Sequence, residues 1–298
     1  EMNFNRLSFG VQDLNQDVQQ AIKRNQSVAD TDRLYHIARD LGFNSINFDL
    51  IYGLPLQTEK TFAESIDQAI DMRPDRVALY SYAHLPGLKH NQDAIDPATL
   101  PSPETKLGLF VIAMEKFLAA GYRKIGMDHF ALPEDDLALA LEDRRLYRNF
   151  MGYTVRPTDT TIGFGVSSIG ETPSSQMQNT KKLSRYYALL ELGQLPVEKG
   201  FRLTEDDRIR RDVIQSLMCN FYLDFRRIDA DYGIDSSEYF SAEQQELNAL
   251  EESGFIERSA TSLEVTALGQ LFVRNVAMVF DAYLTAPSEG KRRFSRTV

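Results

Sequence analysis

Cysteine, histidine and long apolar runs are scarce in this sequence of 298 residues. The single cysteine, Cys219, excludes an internal disulfide and any metal site that needs several thiolates from this chain. No two of the four histidines are spaced i, i+4, so local spacing indicates no histidine metal site. The apolar runs are far too short to span a membrane. A lone thiol is typical of the reducing cytoplasm, where we expect this protein to be located.

Positive charge is also in deficit, because 33 lysines and arginines are outnumbered by 43 aspartates and glutamates. A net charge of -10 lacks the basic footprint of nucleic-acid binding, so we expect no nucleic-acid partner, and the short apolar runs lead us to expect no membrane partner. The sequence begins without a basic and apolar leader, so we expect no targeting signal. The remaining composition, 43% hydrophobic and 26% charged, is that of an ordinary soluble globular protein with one or two domains.

The most informative pattern covers residues 46–55 (INFDLIYGLP). Apolar side chains alternate there with Asn47 and Asp49, which is the period of a β-strand. An aspartate is costly to bury alone, so Asp49 is expected to meet a ligand, pair with a cation or lie at an open strand end. Gly53 permits a tight turn and Pro55 prevents further pairing, so the strand ends here. A chance acid at a strand end is the alternative.

Alternating strand and helix patterns organise the first part of the chain. Strand patterns occupy residues 6–12, 46–52, 77–82 and 124–130, and helices with capping residues at Ser27, Thr58 and Ser102 lie between them. This order predicts parallel strands with right-handed crossovers. Binding sites in such folds lie at the C-terminal strand ends, where this chain has Gln12, Asp49, Ala83 and Asp128.

From residue 131 to about 180 the periodic pattern breaks down. Three basic residues, Arg144, Arg145 and Arg148, lie close together in this stretch, and by charge they suit carboxylate groups in general. An ordinary solvated basic cluster is an equally good interpretation. A glycine-rich run follows at residues 163–170, but it lacks the Lys-Ser/Thr ending of a phosphate loop. It is either a surface that a ligand approaches closely or a plain loop.

A second, helical unit begins at residue 201. A long helix starts after Thr204, and Cys219 lies among apolar neighbours as an expected buried core thiol. Two short helices, a hairpin and an apolar helix are predicted over residues 239–256, 258–266 and 268–284, which indicates a winged-helix shape. The helix before the hairpin has four glutamates and no lysine or arginine, so it should repel phosphate. We therefore interpret the unit as a packing or site-covering domain. The basic tail at residues 291–296 is solvated or, alternatively, contacts an anionic substrate.

Four motifs occur in order along the chain: NRLSFGVQD at residues 5–13, DLIYGLP at 49–55, MDHFA at 127–131 and RNFMGY at 148–153. Together they closely resemble the oxygen-independent coproporphyrinogen III oxidases, the HemN family of radical S-adenosylmethionine enzymes. The first two motifs are shared with the related haem chaperones, whereas the MDHFA motif favours the oxidases. The likeness extends over nearly the whole chain.

The resemblance implies an α/β fold: the C-terminal part of a partial parallel (β/α) barrel of radical-SAM type, followed by a mainly helical, winged-helix-like domain. It implies three segments, with the barrel at residues 1–130, a connecting segment that lines the site at 131–200 and the C-terminal domain at 201–298. The family's C-x3-C-x2-C motif does not occur in this sequence. We therefore expect the ligands of the family's [4Fe-4S] cluster to be absent from this chain. It resembles the C-terminal two-thirds of the enzyme and should be inactive alone.

The family carries two S-adenosylmethionine molecules, and motif matching transfers five cofactor-binding positions to this chain: Gln12, Arg24, Asp49, Ala83 and Ile169. By the resemblance, Gln12 and Asp49 suit ribose or ammonium groups, and Arg24 suits the methionyl carboxylate. Met151 departs from the family pattern, which often has glutamine there. No catalytic residue and no metal ligand is assigned.

The resemblance implies oxygen-independent oxidative decarboxylation of coproporphyrinogen III to protoporphyrinogen IX, through a 5'-deoxyadenosyl radical, in haem and porphyrin biosynthesis. It further implies an electron donor such as a flavodoxin-like reductase system, a monomeric state and a cytoplasmic location. Two alternatives are a haem chaperone on the same scaffold, which binds haem without decarboxylation, and a transcriptional regulator with a winged helix. The MDHFA motif disfavours the chaperone, and the acidic helix before the hairpin disfavours the regulator.

Overall fold

The computed structural model describes residues 4–87 and 89–284, and the chain forms two compact units with their sequence boundary between Glu142 and Asp143. The basic tail at residues 291–296, for which two interpretations are open, lies outside the described residues. No helix in the described ranges is long and apolar enough to cross a membrane.

The first unit is built on a five-stranded sheet in the order β1-β2-β3-β5-β4. Its strands are β1 (Arg6–Gln12), β2 (Ser45–Tyr52), β3 (Arg76–Ser81), β4 (Arg123–Ile125) and β5 (His129–Ala131). Its helices are α1 (Gln16–Ala21), α2 (Val28–Asp40), α3 (Glu59–Met72), α4 (Pro103–Ala119) and α5 (Asp136–Glu142), with 3-10 turns at His90–Gln92 and Pro97–Thr99. Strands β1, β2 and β3 are parallel neighbours, as predicted.

Local capping chemistry sets the helix boundaries of this unit. The predicted caps at Ser27, Thr58 and Ser102 are confirmed, because each side-chain oxygen accepts a hydrogen bond from the backbone N–H three residues further on. Each bond satisfies a donor that has no partner within the helix. Helix α3 ends as predicted, where Arg73 adopts a left-handed φ of 52° just before Pro74.

The prediction of a single parallel strand over residues 124–130 is wrong. Strands β4 and β5 form an antiparallel hairpin, and β5 also pairs antiparallel with β3. A parallel neighbour needs a crossover of a dozen or more residues, whereas only a short turn at residues 126–128 separates these strands. Gly126, with φ of 54°, permits that turn. Asp128 therefore lies in a hairpin turn, not at the end of a parallel strand.

Alternation along the parallel strands separates two faces of the sheet. Phe48 of β2 is fully buried on the helix-covered face, where its ring meets that of Tyr35 of α2 at a centroid distance of 5.9 Å. Burying such a side chain contributes about 2–3 kcal/mol to the free energy of unfolding. The opposite face carries Ser8, Asn47 and Asp49 and is called the polar face below. The predicted division of β2 into an apolar and a polar set is confirmed by its alternating burial.

The second unit contains a sheet that the sequence did not predict. After a hairpin of β6 (Tyr147–Asn149) and β7 (Gly152–Thr154), strands β8 (Ile169–Thr172), β9 (Ser175–Asn179) and β10 (Val197–Arg202) form an antiparallel sheet. Helix α6 (Leu183–Glu191) connects β9 to β10. All six residues of β10 are exposed, so no apolar alternation marks this strand in the sequence.

The rest of this unit has the element order of a winged helix, as predicted. Its elements are α7 (Glu205–Asn220), β11 (Tyr222–Asp224), α8 (Phe225–Tyr232), α9 (Ser236–Tyr239), α10 (Gln244–Glu252), β12 (Ile256–Arg258), β13 (Ser262–Val265) and α11 (Val273–Met278). Cys219 of α7 is fully buried, which confirms the predicted core thiol. The prediction of one helix over residues 268–284 is wrong, because a 3-10 turn at Gly269–Phe272 precedes the short α11. Gly269, the first residue of this turn, packs directly on the main chain of Phe255 and leaves no space there for a Cβ.

Candidate cofactor-binding site

Three side chains of the polar face form one hydrogen-bonded cluster. The Asp49 carboxylate accepts from Ser8 Oγ at 3.1 Å and from Asn47 Nδ2 at 2.8 Å. Asn47 Nδ2 also donates to Ser8 Oγ at 2.9 Å. Asn47 Oδ1 is buried and has no hydrogen-bond partner among the described residues. The cluster thus presents a carboxylate and an amide oxygen, and both accept from hydroxyl or ammonium groups.

Gly10 is the point at which the predicted residues of β1 and β2 meet. It is the register partner of Asp49, and a β-bulge follows between Gly10 and Gln12. Gln12 has a left-handed φ of 67°. Its amide folds back over Gly10, since Nε2 lies 2.8 Å from the position that a Cβ on Gly10 would occupy. Because Gly10 has no side chain, the Gln12 amide occupies the space where a Cβ would be. This space lies beside Asp49, the register partner of Gly10.

Arg24 reaches the same glycine from the segment between α1 and α2. Its Nη2 donates to the Gly10 carbonyl oxygen at 2.5 Å and to Gln26 Oε1 at 2.9 Å. The sequence predicted only a contact with a ligand carboxylate. A guanidinium has five N–H donors, and both observed contacts use one nitrogen, so a carboxylate contact is compatible with them. Arg24 therefore has a structural role at this strand end in addition to the predicted one.

Ala83 lies just beyond the end of β3. Its carbonyl oxygen accepts from Gln92 Nε2 at 3.0 Å, and the preceding Tyr82 N–H donates to the Tyr52 carbonyl at 2.8 Å. The exit of β3 is thus held from both sides. Since β1, β2 and β3 are parallel, Gln12, Asp49 and Ala83 share the C-terminal edge of the sheet, as predicted.

Lys106 of α4 closes the end of β2 over Gly53. Its ammonium donates to the Tyr82 carbonyl at 2.7 Å, and burial lowers the pKa of Lys106. A Cβ on Gly53 would lie 2.7 Å from Lys106 Cε. The glycine predicted to permit a tight turn therefore also makes room for this lysine. Gly53 has a left-handed φ of 86° and leaves space for Lys106, and a residue with a side chain would fit neither condition.

We expect Gly53→Ala to destabilise the chain more than Gly42→Ala does. Gly42 has nearly the same φ, 87°, but open space around its Cβ position, so it is a matched control for backbone strain. Both variants should lose about 1–2 kcal/mol from the left-handed conformation. Gly53→Ala should lose about 1–3 kcal/mol more, because Lys106 must move. Urea unfolding followed by far-UV circular dichroism measures both losses, and equal losses would contradict a packing role for Lys106.

Ile169, the fifth predicted position, belongs to the second unit. It begins β8, is half-buried and lines an open groove of about 210 Å³ on the face of the antiparallel sheet. The other lining residues are Gln176, Met177, Gln178, Lys199, Gly200 and Phe201. Met151, at the turn between β6 and β7, is 86% exposed.

The three arginines considered for substrate carboxylates have partners within the second unit. The Arg144 guanidinium stacks over the Tyr222 ring at 3.6 Å, and Arg145 pairs with Asp143 at 2.6 Å. The Arg148 guanidinium lies 5.7 Å from the ring of Tyr153. These contacts give each arginine a structural role. Binding of substrate carboxylates by any of them stays a prediction.

An aspartate–histidine pair in the first unit was not predicted. His129 Nδ1 lies 2.7 Å from Asp128 Oδ1, and the His129 ring meets the Tyr80 ring edge-on at 5.9 Å. The pair lies in the MDHFA motif, from which the sequence analysis took the family and a strand-end position for Asp128, but no contact with His129. Ser8 and Asn47 were likewise missed as site residues, although the strand alternation that indicated Asp49 places them on the same face.

An iron–sulfur cluster does not fit the residues of this chain. The only thiol, Cys219, is buried in α7, and burial raises its pKa to about 12. A cluster needs several thiolates, and a thiol with such a pKa stays protonated at neutral pH. In the part of the chain that the structure describes, no three His, Cys, Asp or Glu side chains are grouped as a metal site would need.

S-adenosylmethionine does fit the polar face. The cofactor carries an ammonium group and ribose hydroxyls, which are donors for the Asp49 carboxylate and the unpartnered Asn47 Oδ1. It also carries a carboxylate, for which Arg24 is a suitable cation. The donor and acceptor types of the cluster therefore match those of the cofactor.

Lys124 of β4 is expected to make the stability of the first unit depend on pH. Burial lowers the pKa of Lys124 to about 8, and its ammonium lies 5.8 Å from the ring of Phe110. Below pH 8 both folded and unfolded chains hold the proton, so Lys124→Met should raise the free energy of unfolding there, by at most about 3 kcal/mol. Between pH 8 and 10.5 the unfolded chain binds more protons, so this advantage should fade. Urea unfolding of both proteins at pH 7 and pH 10 checks it, and a constant difference would contradict it.

Comparison with known families defines the class of the chain. The family model described as Radical SAM superfamily matches residues 1–69, and the one described as HemN C-terminal domain matches residues 203–272. Both family models agree with the structure, which has parallel strands with a polar C-terminal edge and then the winged-helix elements. The chain thus has the C-terminal part of a radical-SAM barrel and a mainly helical, winged-helix-like domain, which confirms the predicted fold class.

Two relatives named oxygen-independent coproporphyrinogen III oxidase, from Pseudomonas aeruginosa and Thermostichus vulcanus, are 44% and 42% identical over the whole of this chain. The chain spans 64% of the former and 91% of the latter. The solved structure of coproporphyrinogen III oxidase (HemN) from Escherichia coli, described as a radical SAM enzyme, matches with a TM-score of 0.92 at 41% identity. That match covers 94% of this chain and 65% of the other. The chain belongs to the oxygen-independent coproporphyrinogen III oxidase family, which confirms the resemblance drawn from four motifs.

Proposed function

We propose that this chain is the larger part of an enzyme that oxidatively decarboxylates coproporphyrinogen III to protoporphyrinogen IX without oxygen, in haem biosynthesis. The observation that carries the proposal is the convergence of Gln12, Arg24 and Asp49 on Gly10, at the C-terminal edge of parallel strands. Ligands of such folds bind at this edge. The family relationship supplies the reaction.

S-adenosylmethionine, when bound, supplies the hydrogen-atom abstraction that starts the reaction. The chain's own residues hold and orient it. Asp49 and Asn47 accept from its hydroxyl or ammonium groups, Gln12 contributes an amide beside them, and Arg24 holds the carboxylate. Ala83 offers main-chain atoms at the exit of β3. Ile169 is a cofactor-binding position by the motif match alone. Binding of two cofactor molecules, as in the family, is part of the proposal.

We infer that the cluster ligands belong to a part of the enzyme outside these 298 residues. We define the extended protein as this chain joined to the cluster-binding part that the resemblance places before residue 1. This extended protein is then the active form. Its electron donor is a reductase system of flavodoxin type, and the protein is a cytoplasmic monomer. The division into a barrel at 1–130, a connecting segment at 131–200 and a C-terminal domain at 201–298 stays a prediction.

The test is anaerobic turnover of coproporphyrinogen III by the cluster-loaded extended protein, with S-adenosylmethionine and a chemical reductant. Chromatography should show protoporphyrinogen IX, together with 5'-deoxyadenosine from the cofactor. Omission of S-adenosylmethionine should abolish both products. Haem binding without decarboxylation by the same protein would replace this proposal with the chaperone function.

The 298-residue chain alone should not hold a [4Fe-4S] cluster. Its single buried thiol cannot supply the three thiolates that the family uses. Anaerobic reconstitution with iron and sulfide, followed by iron and sulfide assay, measures this. The extended protein treated in parallel is the positive control. Four irons per chain, with the broad visible absorbance of a cluster, in the 298-residue protein would contradict the prediction.

A further inference from the structure

A buried carboxylate lies next to the candidate site, at a position that the predicted contacts do not include. Asp13 follows Gln12 directly and is 0% exposed. Its Oδ1 accepts from the backbone N–H of Asn15 at 2.6 Å and from Ser65 Oγ at 2.7 Å. Its Oδ2 accepts from Gln57 Nε2 at 2.6 Å. None of these three donors is a cation, so neutral hydrogen-bond donors compensate the buried carboxylate.

The first branch of this network fixes the end of β2. The Gln57 side chain that donates to Asp13 also donates to the Ile51 carbonyl at 2.8 Å, and its Oε1 accepts from the Leu54 N–H at 2.8 Å. The glutamine therefore ties together both sides of the turn that follows Asp49 and its strand. Ser65 connects the same carboxylate to α3. Asp13 thus joins the ends of β1 and β2 and the helix that follows β2.

The second branch leads from Asp13 to Arg24. The Asp13 carbonyl accepts from Gln19 Nε2 at 2.7 Å, and Gln19 Oε1 accepts from the Gln26 N–H at 2.8 Å. Gln26 Oε1 in turn accepts from Arg24 Nη2 at 2.9 Å. Gln19 is itself buried, so the branch is shielded from water at its Asp13 end, whereas Gln26 and Arg24 are half-buried. Three hydrogen bonds therefore connect the main chain beside Gln12 to the guanidinium that suits a ligand carboxylate.

The network is costly to keep, which indicates a role beyond stability. Burial raises the pKa of the Asp13 carboxyl even though Gln57, Asn15 and Ser65 all donate to it. The charged form is therefore less favourable here than in water. Gln12 also adopts a φ of 67°, which few residues other than glycine do. Both costs fall at the strand end where the ligand is expected.

We propose that Asp13 is a positioning residue of the S-adenosylmethionine site. Its carboxylate and carbonyl hold the strained backbone at Gln12 and, through Gln19 and Gln26, the guanidinium of Arg24 in their binding arrangement before the ligand arrives. A preorganised site loses less free energy on binding, because side chains and loops need not be ordered then. This inference rests on the proposed function, since the ligand is the cofactor proposed there.

The test is calorimetric titration of the extended protein with S-adenosylmethionine, together with thermal melts. Asp13→Asn should weaken binding about ten-fold, the usual cost of losing a residue that orients a ligand-binding group. Tyr122→Phe is the matched control, because it removes another buried hydrogen bond, to the Pro74 carbonyl at 2.7 Å, at the opposite end of β3. Tyr122→Phe should leave the affinity within two-fold of the unaltered protein.

A double-mutant cycle separates positioning from general stability. If Asp13 acts through Gln12, Asp13→Asn combined with Gln12→Ala should weaken binding less than the product of the single effects. If Asp13→Asn fails to fold, Ser65→Ala removes one donor and should show a smaller loss in the same direction. Unchanged affinity in the folded Asp13 or Ser65 variant, or effects that multiply, would overturn the positioning role and leave the proposed function intact. No binding by the unaltered protein would overturn both.

Discussion

Gly269→Ala should lower the free energy of unfolding by about 3 kcal/mol or more, the largest loss that we expect from a methyl group added to any glycine that the structure describes. A Cβ at Gly269 would overlap the Phe255 carbonyl oxygen and lie 2.9 Å from Val265 Cγ1. Main chain cannot rotate away as a side chain can. The Phe255 carbonyl is also fixed, because it accepts from the Thr266 N–H at 3.0 Å. The 3-10 turn and α11 would therefore have to move away from β12.

The control for Gly269→Ala is Gly200→Ala in β10 of the same unit. There the nearest atom to the added Cβ is the Gln176 carbonyl oxygen at 3.8 Å, an ordinary contact. Urea unfolding followed by far-UV circular dichroism compares the two variants. Gly200→Ala should change the transition by less than about 0.5 kcal/mol, as exposed substitutions usually do. Similar midpoints for both variants would mean that the turn at Gly269 adapts without loss.

What the sequence predicted correctly depends on neighbouring residues alone. The caps at Ser27, Thr58 and Ser102 act within one helical turn, so their residue types are enough to place the helix starts. The polar set around Asp49 follows from strand period, which needs no knowledge of the partner strand. Cys219 could be assigned to the core because its neighbours in the sequence are apolar.

What the sequence missed depends on pairing and on exposure. Strand β10 is exposed on both faces, so it has no apolar pattern to detect. The hairpin of β4 and β5 was mistaken for one strand because its turn, at residues 126–128, has only one glycine, Gly126, and no proline to mark it in the sequence. The contact of Arg24 with Gly10 joins residues fourteen apart and depends on the β-bulge before Gln12. The motif match could select these residues but not their arrangement.

Asp49→Ala and Arg24→Ala should each weaken S-adenosylmethionine binding to the extended protein by about 1–3 kcal/mol, the usual loss of a charged hydrogen bond. They should differ in stability: Arg24→Ala also removes the 2.5 Å bond to the Gly10 carbonyl and should lower the melting temperature. Asp49→Ala should change the melting temperature little, because its partners Ser8 and Asn47 still bond to each other.

The control is Asp67→Ala, which removes an exposed carboxylate paired with Lys116 on α4. Calorimetric titration and thermal melts measure both effects. Affinities equal to that of the control in both variants would make Asp49 and Arg24 structural residues and place the cofactor elsewhere.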